Sequence, residues 1–186
     1  ILGVRAIATP LACGNTVILK GSELCPRTHQ LIAQAFIDAG FPPGVVNYIT
    51  NAPADAAAVV DAMIEHAAVR RVNFTGSTRV GKLIAVQCAQ HLKPVVLELG
   101  GKAPLLVLDD ADLDAAVDGA AFGCFANSGQ ICMSTERLVV DASIADAFVD
   151  KFAAKARALP LGDPRGRDPV VLGSVVGMHT VEHCNT

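Results

Sequence analysis

Several things are scarce or missing in this sequence, and each absence closes a door. The six cysteines, at positions 13, 25, 88, 124, 132 and 184, form no Cys-x-x-Cys pair and no zinc-finger spacing. Scattered thiols of this kind suggest a reducing compartment, and a cytoplasmic location is expected. There is no block of basic residues, and the net charge is −3, so nothing recommends nucleic acid as a partner. No apolar run is long enough to span a bilayer; Arg5 and Pro10 interrupt the N-terminal one. That stretch also has neither the cationic leader nor the cleavage pattern of a signal peptide. The Gly-x-Gly-x-x-Gly dinucleotide fingerprint is missing, as are internal repeats and low-complexity segments.

What is present is a well-patterned α/β chain. At 186 residues and 52% hydrophobic it can bury a sizeable core, so disorder is unexpected. The first residue is Ile1, and the tail Glu182-His-Cys-Asn-Thr186 carries no helix cap or stop, so a piece of a longer protein is expected. From Thr16 the chain alternates. Strands are predicted at 16–20, 45–50, 69–74 and 95–99. Between them lie helices opened by Pro26, by Ala54 and by the segment Gly76–Gly81. Their inward stripes are Leu31, Ile32, Ala35 and Phe36; Val59, Val60, Met63 and Ile64; and Val80, Leu83 and Ile84. Strand and helix in steady alternation predict a parallel sheet covered by helices.

Gly100-Gly101 breaks the rhythm, so a first domain over 1–100 and a second over 101–186 are expected. In the second, a strand at 105–108 precedes Asp109-Asp-Ala-Asp112, acids suited to a helix N-terminus. The helix runs to about Phe125. Beyond a turn lies a strand near Leu138, then a capping-box-like Ser143-Ile-Ala-Asp146 and a helix with Phe148, Phe152 and Ala156 on one face. A loop rich in glycine and proline covers 160–169.

Asn127-Ser-Gly-Gln-Ile-Cys-Met133 places Cys132 on the turn between helix and strand. A reactive thiol there could be held rigidly and still be reached; a small core cysteine is the plainer reading. Glu98 is the odd residue in Val95-Val-Leu-Glu-Leu-Gly-Gly101. A carboxylate ending an apolar strand is costly unless paired or functional. Partial burial would move it towards a general base, while an outward-facing strand residue is the alternative. Lys20 and Glu23 fall just past the end of the first strand, where open sheets bind ligands. A carboxylate there can accept from both hydroxyls of an unphosphorylated ribose and repels a 2′-phosphate; two solvated charges are the alternative.

Gly76-Ser-Thr-Arg-Val-Gly-Lys82 nearly spells a Walker A loop, with Leu106-Val-Leu-Asp109 as a possible Walker B strand. Leu83, however, stands where Ser or Thr must hold magnesium. What remains is a pyrophosphate or ribose contact at a helix N-terminus, or a tight turn. His179-Thr-Val-Glu-His183 fits an inverted zinc-protease pattern but lacks a third ligand. Asp110, Asp112 and Asp114 start like a calcium loop that Ala115 and Ala121 spoil. No metal site is expected. Asn73-Phe-Thr75 is a glycosylation sequon set in a strand, and His29, His66 and His91 read as surface residues.

Together, five segments resemble the aldehyde dehydrogenase superfamily: Leu11-Ala-Cys-Gly-Asn-Thr-Val-Ile-Leu-Lys20, Phe41-Pro-Pro-Gly-Val-Val-Asn47, Phe74-Thr-Gly-Ser-Thr-Arg-Val-Gly81, Leu97-Glu-Leu-Gly-Gly-Lys102 and Gly129-Gln-Ile-Cys132. They occur in the family's order and cover nearly the whole chain. The resemblance implies a Rossmann-like cofactor domain followed by the start of a catalytic domain. It makes Cys132 the nucleophile and Glu98 the general base. It assigns Lys20 and Glu23 to the adenosine ribose, and Gly76, Ser77 and Gly81 to the phosphates. Leu99 and Gly100 also fall to the cofactor, with Gly100 close to the nicotinamide. NAD is implied, with NADP disfavoured by Glu23. Gly21 replaces the family's proline, a departure expected to loosen that loop. The family's oxyanion asparagine is expected upstream of Ile1.

Glu23-Leu-Cys-Pro-Arg-Thr-His29, Asn51-Ala-Pro-Ala-Asp55 and Gln130-Ile-Cys-Met-Ser-Thr-Glu-Arg137 look most like the bacterial salicylaldehyde and vanillin dehydrogenases. They imply an aromatic aldehyde as substrate, and the complete protein is expected to be a homodimer or homotetramer. The alternatives are a relative that passes its acyl group to coenzyme A, against which the Leu97-Glu98 pair argues, a P-loop-like nucleotide-binding protein, and a binding-only relative.

Overall fold

The computed structural model describes residues 1–185. It divides into two compact units, Ile1–Leu99 and Gly100–Thr186. Among the described residues, no helix is long and apolar enough to cross a membrane.

The first unit opens with α1 (Leu2–Ala12), one element earlier than the sequence alternation suggests. Pro10 lies inside the helix, in its last turn, where it forgoes one backbone hydrogen bond to the preceding turn. Ile7 and Leu11, four residues apart, are buried with Leu19, Ala33 and Val46. The Asn15 side chain donates to Pro10 O at 3.1 Å, and with Gly14 at φ 79° it ends the helix. β1 (Val17–Lys20) pairs in parallel with β2 (Val46–Ile49), Val17 against Val46. Between them runs α2 (Pro26–Asp38), with proline in its first turn and Gly40 at φ 96° just past its end. Its stripe is turned from the expected one. Ala33 is buried and Ile32 and Phe36 pack on the same cluster, while Leu31 is 51% exposed. A small residue at the contact lets the helix approach the strands closely.

α3 (Ala56–Glu65) follows β2, with Ile64 as its buried anchor. β3 (Val72–Gly76) pairs in parallel with β4 (Val95–Leu99), and α4 (Thr78–Gln90) connects them. Gly81, Ile84 and Cys88 form the buried side of α4. Leu83, expected inward, is 58% exposed, because a one-position rotation of 100° carries it off the face that Ile84 occupies. Ile64, Ile84 and Cys88 make the second core cluster of this unit.

In the second unit β5 (Ala103–Val107) pairs in parallel with β6 (Thr135–Val140), and α5 (Leu113–Phe125) crosses between them. Asp112 caps α5, its carboxylate accepting from the N–H groups of Asp114 and Ala115 at 3.1 and 3.0 Å. α6 (Ala145–Arg157) buries Phe148 against Val107, Val117 and Ala120. Phe148 and Phe152 stack with ring centres 5.8 Å apart. The expected capping box at Ser143 does not form. Both the N–H and the hydroxyl of Ser143 donate to Asp141, at 2.9 and 2.7 Å, so a local turn takes the serine and Ile144 stands at the cap. A second helix absent from the sequence reading, α7 (Met178–Cys184), ends the described chain.

Candidate active site

Parallel strands leave their ligand-binding ends at the carboxyl side, where chain reversals expose backbone groups. Lys20 closes β1, and Glu23 follows in the turn before α2. The Lys20 ammonium donates to Glu23 Oε1 at 2.6 Å and to Gly21 O at 3.0 Å. The side chains are 18% and 23% exposed, so this is a partly buried pair, not two solvated charges. The Lys20 hydrogen bond, first among the causes, and the neighbouring donors pull the Glu23 carboxyl down to about 2. Glu23 is therefore an obligate acceptor at any pH a cell reaches. That suits it to bind hydroxyl donors and to repel phosphate. An ionised acceptor beside an ammonium is chemistry that fits a ribose hydroxyl.

Gly21 is held, not loose. Its N–H donates to Ile49 O at 2.9 Å. A Cβ there would stand 2.6 Å from the Tyr48 hydroxyl, which itself donates to Pro26 O at 2.6 Å. The tyrosine occupies the space that a side chain at position 21 would need.

The second group gathers at the ends of β3 and β4. Gly76 lies beside Leu99, and Thr75 beside Glu98, as register partners. Ser77 caps α4, its Oγ accepting from Val80 N–H at 3.3 Å. Gly76, Ser77, Gly81 and Leu99 are thus brought together around one helix N-terminus. The glycines also have a packing role. A Cβ on Gly81 would meet Leu99 Cδ2 at 2.6 Å, and one on Gly76 would meet the Phe74 ring at 2.5 Å. Glu98 is 29% exposed at its side chain and accepts from Arg5 Nη2 at 2.9 Å. Arg5 comes from α1, the element the sequence reading passed over.

The third group is the turn before β6. Asn127, Ser128 and Gly129 all have positive φ, at 52°, 57° and 72°. Two of the three carry a Cβ that this conformation penalises. Ties from the chain around 173–176 hold it: Ser128 Oγ lies 3.4 Å from Gly173 O, and Val176 N–H donates to Gln130 Oε1 at 2.8 Å. The Gln130 amide also donates to Asn127 O at 3.1 Å. Cys132 follows, exposed. No backbone hydrogen bond among the described residues uses its N–H. A Cβ on Gly101 would come 3.6 Å from Cys132 O, so the Gly100-Gly101 segment runs beside the cysteine backbone. Burial pushes the Cys88 and Cys124 thiols up, which makes them poor nucleophiles.

The family model for aldehyde dehydrogenases matches residues 1–186. The chain belongs to the aldehyde dehydrogenase family. A vanillin dehydrogenase of Pseudomonas fluorescens is 65% identical over 95% of this chain and 36% of its own length. A salicylaldehyde dehydrogenase of Pseudomonas sp. strain C18 is 55% identical over 100% of this chain and 38% of its own length. A crystal structure of the salicylaldehyde dehydrogenase of Pseudomonas putida G7, in complex with salicylaldehyde, superimposes with a TM-score of 0.94. It is 54% identical, over 98% of this chain and 38% of that one. The chain therefore spans a little over a third of the length of these relatives. It has the mixed helix and parallel-sheet fold of aldehyde dehydrogenases.

Among the described residues, no three His, Cys, Asp or Glu side chains gather as metal ligands. His179, Glu182 and His183 lie on α7, and Asp110, Asp112 and Asp114 lie at and before the start of α5.

Proposed function

We propose that this chain is part of an enzyme that oxidises an aromatic aldehyde, such as salicylaldehyde, to the carboxylic acid with NAD. One observation carries the reading. An exposed cysteine follows a left-handed turn that ties to residues 173–176 hold in place. Strain maintained in front of a nucleophile fits positioning for chemistry better than packing.

The Cys132 thiolate adds to the aldehyde carbonyl carbon, and its own N–H stabilises the alkoxide oxygen of the resulting thiohemiacetal. The hydride acceptor, which no side chain can be, would be a nicotinamide when that cofactor is bound. Loss of hydride from the carbon leaves a thioester on Cys132. Glu98 takes a proton from water as the water attacks the thioester carbonyl, and the carbon–sulfur bond breaks to release acid and thiolate. Lys20 and Glu23 would hold the adenosine ribose. Gly76, Ser77 and Gly81 would hold the phosphates, and Leu99 and Gly100 would border the cofactor. The aromatic substrate is supported by the vanillin and salicylaldehyde dehydrogenases among the relatives.

In the complete enzyme, Cys132→Ala is expected to abolish salicylaldehyde-dependent NADH formation. Turnover that survives the substitution overturns the assignment. A higher kcat/KM for a short aliphatic aldehyde than for salicylaldehyde overturns the substrate class alone.

A further inference from the structure

The Lys20–Glu23 pair has a third member, to which the sequence analysis assigned no role. Asn51, two residues past the end of β2, donates from Nδ2 to Glu23 Oε1 at 3.0 Å and to Ala52 O at 2.8 Å. Its Oδ1 is buried with no hydrogen-bond partner among the described residues. An orphaned buried acceptor is costly. Rotating the amide by half a turn would not remove that cost, because it would press Oδ1 against the Glu23 carboxylate. The charge on Glu23 therefore fixes the orientation of Asn51, and the amide in turn fixes Glu23.

The geometry of that fixing is specific. Lys20 Nζ and Asn51 Nδ2 both converge on Oε1, from opposite ends of a 28-residue separation in the case of Asn51. With Oε1 clamped twice, the carboxylate cannot swing about its last torsion. The side chain stays partly exposed, so the clamped carboxylate can still accept from a ligand hydroxyl. A clamped carboxylate also cannot retreat from a phosphate, whereas one held by a flexible lysine alone can.

Resting on the ribose assignment above, we infer that Asn51 is a positioning residue that holds Glu23 in place and so selects an unphosphorylated cofactor ribose over a 2′-phosphorylated one. The test is direct binding, without turnover. Dissociation constants for NAD and NADP are measured by calorimetry on the complete enzyme, as wild type, Asn51→Ala and Glu23→Gln. Asn51→Ala is expected to weaken NAD about ten-fold, the loss of one hydrogen bond to a charged group, and to leave NADP within about two-fold. The preference for NAD then narrows. If both cofactors weaken by the same factor, or neither changes, Asn51 has only a structural role and the inference is overturned. Asn51→Ser, which keeps a smaller donor, is read by the same criterion if the alanine variant does not fold. If Glu23→Gln itself leaves the NAD-to-NADP ratio unchanged, the ribose assignment falls and takes Asn51 with it. If Glu23→Gln narrows the ratio and the Asn51 variants do not, only the inference about Asn51 fails.

Discussion

Replacing Glu23 by glutamine removes one charge and little else, and the structure says what that charge contributes. The carboxyl is held at about 2 against an ordinary 4.5. At about 1.4 kcal/mol for each unit, the whole displacement is a ceiling of about 3 kcal/mol. The side chain is 23% exposed, so solvent screens part of it, and about 1–2 kcal/mol is the expected contribution. The sign follows from a folded-state value below the unfolded one. The stabilisation is complete above about pH 4.5 and disappears as pH falls towards 2, with under half remaining at pH 3. Wild type and Glu23→Gln should therefore differ by about 1–2 kcal/mol at neutral pH and converge in acid. Urea unfolding followed by circular dichroism reads this gap at each pH. A gap that keeps its neutral-pH size down to pH 2.5, or no gap at pH 7, refutes the claim that Lys20 and Asn51 hold Glu23 ionised.

Two further substitutions probe the backbone around the site. Gly21→Pro removes the N–H that bonds Ile49 O and drives a ring into the Tyr48 side chain. It should cost about 2–4 kcal/mol in unfolding free energy, and pairing it with Tyr48→Val should recover part of that loss. Ser128→Gly places the residue that tolerates φ 57° where serine now stands. It should raise the unfolding free energy by about 0.5–1 kcal/mol, measured by urea titration. A fall in stability instead would mean that the Ser128 hydroxyl contact with Gly173 O outweighs the backbone cost.

The alternation of strands and helices from β1 onward was legible because each element carries its own period and its own stop, such as Pro26 and Gly40 around α2. The two helices the sequence hid failed for different reasons. α1 contains Arg5 and Pro10, which read as interruptions, yet an arginine at a helix surface disturbs nothing, and the helix runs through Pro10 at the loss of one backbone hydrogen bond. α7 has no side-chain cap to announce it. Stripe positions on α2 and α4 were off by about one residue, since a helix with apolar residues on more than one side does not say which face its neighbours will cover. Leu31 and Leu83 were the casualties.

The site shows the same division between what is carried by residue type and what is carried by position. Cys132, Glu98, Lys20 and Glu23 are unusual for their surroundings, so the sequence exposes them. Their supports are ordinary residues. Arg5 reaches Glu98 from 93 positions away, and Asn51 reaches Glu23 from 28. Gln130 receives the Val176 N–H across 46 residues. None of these contacts has a local signature, because long-range pairing is a property of the folded chain. The three left-handed residues before Cys132 make the point most sharply. Asn and Gly at 127 and 129 hint at a turn, but Ser128 between them does not favour that conformation. Only the ties to the chain around Gly173 and Val176 explain why the serine is there. A segment that local preference opposes and distant contacts enforce is where a sequence reading should fail. The turn itself is legible in the sequence; its left-handed conformation, five to three residues before the proposed nucleophile, is not, and strain there can serve the chemistry.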